Sequence, residues 1–160
     1  MQVRLADPAE IDDLARLWHA GWHEAHASLS PPELTRLRTL DSFRARLQAA
    51  FANIRVAGPV GAPIGFYVIR GDELYQLFVA REAHGSGVAA ALMAGAEASL
   101  AEQGVETAWL ACAIGNNRAA RFYEKSGWRL ACKIVDQAET SSGPFPVEVW
   151  RYEKRLTRPT

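Results

Sequence analysis

The chain is 160 residues long, 49% hydrophobic and 22% charged, which fits one globular domain and excludes a disordered chain, a collagen-like repeat or a disulfide scaffold. Lys plus Arg number 18 and Asp plus Glu number 18, so no net field draws in nucleic acid or an anionic membrane, and neither is expected as a partner. Cys112 and Cys132 lack metal-ligand spacing, the N-terminal segment has no signal-like apolar core and no apolar run could span a bilayer, so no metal and a reducing cytoplasmic location are expected.

Residues 1–160 read as a single domain, because Pro and Gly are spread as punctuation and no repeat is visible. Residues 2–6 form a short strand. Asp7 and Pro8 then supply a cap and a first-turn proline ahead of Ile11, Leu14, Ala15, Leu17 and Trp18, whose spacing predicts a helix to about His26. Ser30, Pro31 and Pro32 break it. A second helix starts at Asp41 and Ser42, carries Phe43, Leu47, Ala50 and Phe51 on one side, and ends near Asn53.

The period then shortens to two. Residues 54–57, 64–69 and 73–79 read as strands joined by turns at 58–63 and at Gly71 and Asp72. A glycine-containing segment, 81–87, runs into an Ala-rich helix over 88–103 that Gly104 stops. A strand over 107–113, a helix over 116–126 ended by Gly127, and strands over 128–135 and 147–156 complete the chain. The order β-α-α-β-β-β-α-β-α-β-β predicts an α/β domain with a mixed sheet. The strand beginning at Val147 offers an edge for pairing in a homodimer.

Chemistry concentrates in two segments. His84, Gly85, Ser86, Gly87, Val88 and Ala89 open a helix directly after a strand, so unpaired amides and the positive end of the helix dipole converge on one spot. Gly85 and Gly87 let a phosphate approach the main chain, and Ala89 keeps the first turn slim. Alone, this pattern fits a phosphate site or simply a glycine-rich helix start. It lacks the third glycine of a dinucleotide fingerprint and the Gly-Lys-Ser/Thr ending of a P-loop. In the second segment, Ala119, Phe122 and Tyr123 share a helix face, with Asn116 about two turns earlier. Asn116 and Tyr123 either contact one elongated ligand or serve as a helix cap and a core tyrosine.

Together the segments LFVAREAHGSGVA (77–89) and NNRAARFYEKSGW (116–128) resemble the acetyl-CoA-binding motif and following helix of the GNAT-type N-acetyltransferase superfamily. The resemblance is specific over residues 73–128 and architectural elsewhere. It implies splayed central strands, a cleft in which main-chain groups of Phe78 and Val79 hydrogen-bond the pantetheine arm as if it were an added strand, and a pyrophosphate cradle at 84–89. Asn116, Ala119 and Phe122 would line the same cofactor site. His84 departs from the family's Gln or Arg and brings less positive charge to that cradle. The implied activity is transfer of an acetyl group from acetyl-CoA to a primary amine of a small molecule or peptide by direct attack. The alternative is a non-catalytic acyl-CoA-binding regulatory domain.

Direct attack needs a route for the amine's proton and a proton for the leaving thiolate. The resemblance points to Tyr123 as the thiolate's proton donor. Residues 110–113 carry no carboxylate, which leaves Glu73 as the candidate base, on the same strand face as Tyr75, or else a water chain. Cys112, in an apolar strand without an adjacent His, reads as an inert thiol. The stripe of Trp18, Trp22 and His26 reads either as core or as a pocket wall, with Trp18, Trp22 and Tyr75 as candidate acceptor contacts. The second reading predicts a cationic amine with an apolar body, drawn by Glu24, Glu73 and the acidic 136–146 loop.

Overall fold

The computed structural model describes residues 2–157. The chain runs through β1 (Val3–Leu5), α1 (Ile11–His26), α2 (Pro32–Leu37), α3 (Leu40–Ala49), β2 (Ile54–Ala57), β3 (Gly65–Arg70) and β4 (Glu73–Val79). It continues through α4 (Val88–Glu102), β5 (Thr107–Ala113), α5 (Asn117–Lys125), β6 (Arg129–Ala138) and β7 (Phe145–Arg155). The expected order holds, with α2 added. Pro32 occupies the first turn of that helix, so the double proline that breaks one helix also starts the next. Helix α3 is capped by Thr39, whose side chain accepts from the Ser42 amide, so it begins at Leu40, one residue before the expected Asp41 start.

The seven strands form one sheet in the order β1-β2-β3-β4-β5-β7-β6. Alternation along β3 buries both of its faces. Phe66 and Val68 join the apolar layer of α1 and α3, while Tyr67 and Ile69 join the layer of α4 and α5. The β6–β7 hairpin pairs as far as Ala138 with Phe145, which shortens the expected 136–146 loop; Gly143, at φ 98, makes the turn.

Over residues 149–153, β7 lies between β5 and β6 and pairs with both, so this stretch has no edge to offer a second copy; residues 145–148 pair with β6 alone. The edge expected for a homodimer is therefore taken up by β5 over 149–155, and the outer strand on that side of the sheet is β6. No helix among the described residues is long and apolar enough to cross a membrane.

One junction positions the site. β4 and β5 are parallel and share a single registered pair, Glu73 with Trp109, beyond which they diverge. Although α4 connects them as parallel neighbours, they pair only at that point, so the remaining edge of β4 faces an open wedge and not a partner strand.

Candidate active site

The wedge opens into a cleft of about 1230 Å³ bounded by α1, β4, the start of α4, the end of β5 and α5. The small residues Ala20, Gly21 and Ala25 give α1 a slim face along it. At Gly21 a Cβ would stand 2.8 Å from the Phe78 ring, so only glycine allows helix and strand to come this close.

Main-chain groups alternate along β4 between its two neighbours. The Ala80 amide donates to Ile64 of the β3 side, and the Val79 carbonyl instead faces the His84 ring. By the same alternation, Phe78 turns its main chain toward β3 and gives the cleft its ring, whereas Leu77 and Val79 direct main-chain groups into the wedge. The expectation that Phe78 supplies main-chain hydrogen bonds is corrected accordingly, by one residue of register.

At the α4 end, Gly85 and Gly87 have φ values of 79 and 88, and a Cβ at either would meet nothing within 4 Å. Gly87 is the N-cap of α4 and no side chain caps that helix, so its first-turn amides point into open space. His84, Gly85, Gly87 and Ala89 line the cleft. Val88 does not; at 1% exposure its side chain anchors the turn in the core. Ser86 turns its hydroxyl back to the Ala83 carbonyl, serving the loop's geometry.

The cation that His84 does not supply comes from Arg118. Its Nη2 lies 2.8 Å from His84 Nδ1, and His84 Nε2 lies 3.1 Å from the Val79 carbonyl. A guanidinium can only donate, so Nδ1 accepts, and Nε2 carries the proton and donates to Val79. The imidazole thereby orients an exposed guanidinium at the mouth of the glycine turn. Arg118 escaped sequence analysis because its proximity to His84 exists only after α5 packs beside α4.

α5 contributes Asn116, Ala119, Phe122 and Tyr123 to the cleft wall. Asn116 Oδ1 accepts from the Ala119 amide at 3.3 Å, so it caps the helix while also lining the cleft. The Tyr123 hydroxyl hydrogen-bonds to no described residue, and burial together with nearby Cys112 raises its pKa above the ordinary phenol range. Cys112 also lines the cleft, where burial pushes its thiol up to about 12, the behaviour of an unreactive group.

Three further expected residues lie elsewhere. Glu73 sits at the closed end of the wedge, 4% exposed and 3.2 Å from Arg70, and is not part of the cleft wall. Burial raises its carboxyl to about 7, with Asp136 and Asp72 adding to the rise and Arg70 opposing it. Trp18 and Trp22, 1% and 8% exposed, pack around Phe43 beneath the cleft. They are core, because the stripe that faces inward on α1 is the one carrying the largest apolar surface. Tyr75 does line the cleft, as does His26, whose ring burial pulls down to about 4 and so leaves neutral. Among the described residues no group of three His, Cys, Asp or Glu could hold a metal ion.

Comparison with known proteins agrees with this geometry. The family model described as "Acetyltransferase (GNAT) family" matches residues 11–128. A Mycobacterium bovis protein described as an uncharacterized N-acetyltransferase is 40% identical over 75 residues, covering 44% of this chain and 48% of that protein. The match thus spans about half the length of that relative. A GCN5-related N-acetyltransferase from Rhodopseudomonas palustris superposes with a TM-score of 0.75 at 19% identity, covering 97% of this chain and 95% of the other. YncA, a putative acetyltransferase from Salmonella typhimurium solved with its cofactor acetyl-CoA, superposes with a TM-score of 0.72 at 14% identity, covering 100% of this chain and 96% of the other. With the splayed strands, the glycine turn and the Asn116–Tyr123 helix all inside the matched span, the chain belongs to the acetyltransferase (GNAT) family.

Proposed function

We propose that the chain is an acetyl-CoA-dependent N-acetyltransferase that acetylates a primary amine by direct attack. The observation that carries this reading is the sharing of one cleft by two chemistries: unpaired amides at the start of α4 and the unpartnered Tyr123 hydroxyl. A pyrophosphate fits the first. The amides of the α4 turn would hold it, with Arg118 providing charge, and the Leu77 and Val79 edge would hold the pantetheine arm as if it were an added strand. The acetyl thioester supplies the activated carbonyl. Binding beside it makes attack by the amine effectively unimolecular.

Tyr123 then protonates the departing thiolate. A phenol whose pKa is raised by burial keeps its proton at neutral pH, which suits a donor. Glu73, outside the cleft wall, receives no role in touching the amine; the amine's proton leaves through water in the open cleft. The solved relative bound to acetyl-CoA supports the choice of cofactor.

Gly87→Glu tests the reading, since it adds a Cβ at φ 88 and a negative charge where the pyrophosphate would sit. Calorimetry should register loss of acetyl-CoA affinity with the circular dichroism spectrum retained. Undiminished affinity would remove the cofactor assignment. Tight binding by the unaltered chain with no thiol release across a broad amine screen would instead favour the non-catalytic acyl-CoA-binding domain.

A further inference from the structure

Five buried side-chain nitrogens among the described residues lack a hydrogen-bond partner, and all five occupy one neighbourhood: Trp18 Nε1, His26 Nδ1, Arg38 Nε, and Arg46 Nε and Nη1. The groups are physically linked. The Arg46 guanidinium lies 4.3 Å from the Trp18 ring centre, Arg38 lies 5.8 Å from that of Trp22, and the Trp22 and His26 rings are 5.4 Å apart. Arg38 is only 4% exposed.

Neither arginine has an ion-pair partner among the described residues. Arg38 Nη1 donates to the Glu139 main-chain oxygen, and Arg46 Nη2 donates to the Tyr75 hydroxyl at 2.7 Å. The Glu139 carboxylate commits Oε1 elsewhere, to Arg70 at 2.7 Å and to the Tyr75 hydroxyl at 3.0 Å. The interior thus holds two like charges, a surplus of donors and a shortage of acceptors. Burial and the neighbouring Arg46 together bring Arg38 down to about 10. Such an arrangement is costly unless something anionic completes it.

Its location says what that would be. Tyr75 and His26 belong both to this cluster and to the cleft wall, so the guanidiniums lie directly behind the cleft at the end away from the glycine turn. We propose that the amine acceptor carries a carboxylate, and that Arg38 and Arg46 form its seat. This inference rests on the transferase reading given above. The carboxylate takes the acceptor positions that the Tyr75 hydroxyl and the Glu139 carbonyl fill in the free chain. Arg38 Nε and Arg46 Nε and Nη1, unpartnered among the described residues, stand as further donors beside these two positions. Tyr75 acts as the door, its ring held by the Arg70 guanidinium 3.8 Å from the ring centre. The arginines behind the cleft wall therefore select for an anionic group on the acceptor, which the cationic amine expected from Trp18 and Trp22 did not include.

The test compares acceptors that differ only in the carboxylate: leucine, phenylalanine and methionine, each against its own α-carboxamide, with thiol release from acetyl-CoA as the readout. The acids should exceed their amides in kcat/KM by ten-fold or more, mostly through KM, and Arg46→Met should abolish the preference without changing acetyl-CoA affinity. Equal use of acids and amides by the unaltered chain overturns the seat, a comparison that needs no variant to fold. Preference surviving in Arg46→Met overturns it too, and Arg46→Lys, which keeps the charge and loses the fork, should give an intermediate preference. Tryptophan fluorescence titrated with the same acids and amides, without acetyl-CoA, separates the two readings. Binding of acids alone with no thiol release keeps the seat and sinks the transferase; thiol release with no response to the carboxylate keeps the transferase and sinks the seat.

Discussion

At the scale of single residues, two side chains carry the proposed chemistry from opposite ends of the cleft. Tyr123→Phe keeps the ring contact with Tyr152, whose centroid lies 5.9 Å away, and removes only the proton donor. Turnover should fall by about 10²- to 10⁴-fold with acetyl-CoA affinity nearly unchanged, and steady-state kinetics beside calorimetry would check both. Because the phenol's pKa is raised, kcat in the unaltered chain should show no loss through the ordinary phenol range. Arg118→Ala should weaken acetyl-CoA binding by about ten-fold at low salt and by less at high salt, as expected for an exposed guanidinium on a phosphate. A salt-independent deficit would mean that Arg118 acts only through His84. Tyr123 was legible in the sequence because its spacing from Asn116 is local to one helix. Arg118 was not, because its partner His84 is 34 positions away.

At the scale of elements, the entry to α1 is fixed by one carboxylate. Asp7 and Glu10 form a reciprocal cap over the turn at Pro8–Glu10, and Glu10 also pairs with Arg4 of β1 at 2.8 Å and accepts from the Gly61 amide at 3.1 Å. The Arg4 hydrogen bonds foremost, with the Asp7 and Gly61 amides, hold its carboxyl at about 2 against an ordinary 4.5, overcoming the opposing effect of burial. The folded chain therefore binds this proton less tightly than the unfolded chain does. Stability from Glu10 is complete above pH 4.5 and drains away as pH falls toward 2. Glu10→Ala should cost about 3 kcal/mol at pH 7, and thermal melts of the variant and the unaltered chain should draw together on acidification. A constant difference in melting temperature down to pH 2 would contradict this account. Sequence caps located this helix within three residues, while α2 stayed hidden because six residues give too short a period to read.

At the scale of the whole molecule, two apolar layers sandwich the sheet, and the cleft exists because neither covers the wedge between β4 and β5. Trp18 is central to one layer, in ring contact with Phe43, Phe66 and Phe78. Trp18→Ala should therefore destabilise by about 3–5 kcal/mol, read as a lowered midpoint in denaturant. A variant of undiminished stability but raised acceptor KM would return Trp18 to the pocket wall. The amphipathic stripe of α1 could be seen in the sequence, yet periodicity reports only which side faces other residues. It cannot say whether that side meets a closed core or a ligand.

The sequence by itself determined the order of elements apart from α2, the glycine turn ahead of α4 and the Asn-capped α5, because each depends on side chains a few positions apart along one chain segment, and two such segments together made the family legible. Only the tertiary structure decided that Glu73 lies at the closed end of the wedge, that β7 is an inner strand, and that Leu77 and Val79 present main chain to the cleft. It also decided that Arg38 and Arg46 stand behind Tyr75 with no ion-pair partner among the described residues. These are consequences of strand divergence, sheet order and register, which arise where distant segments meet, and no local period or cap encodes where such segments come to rest.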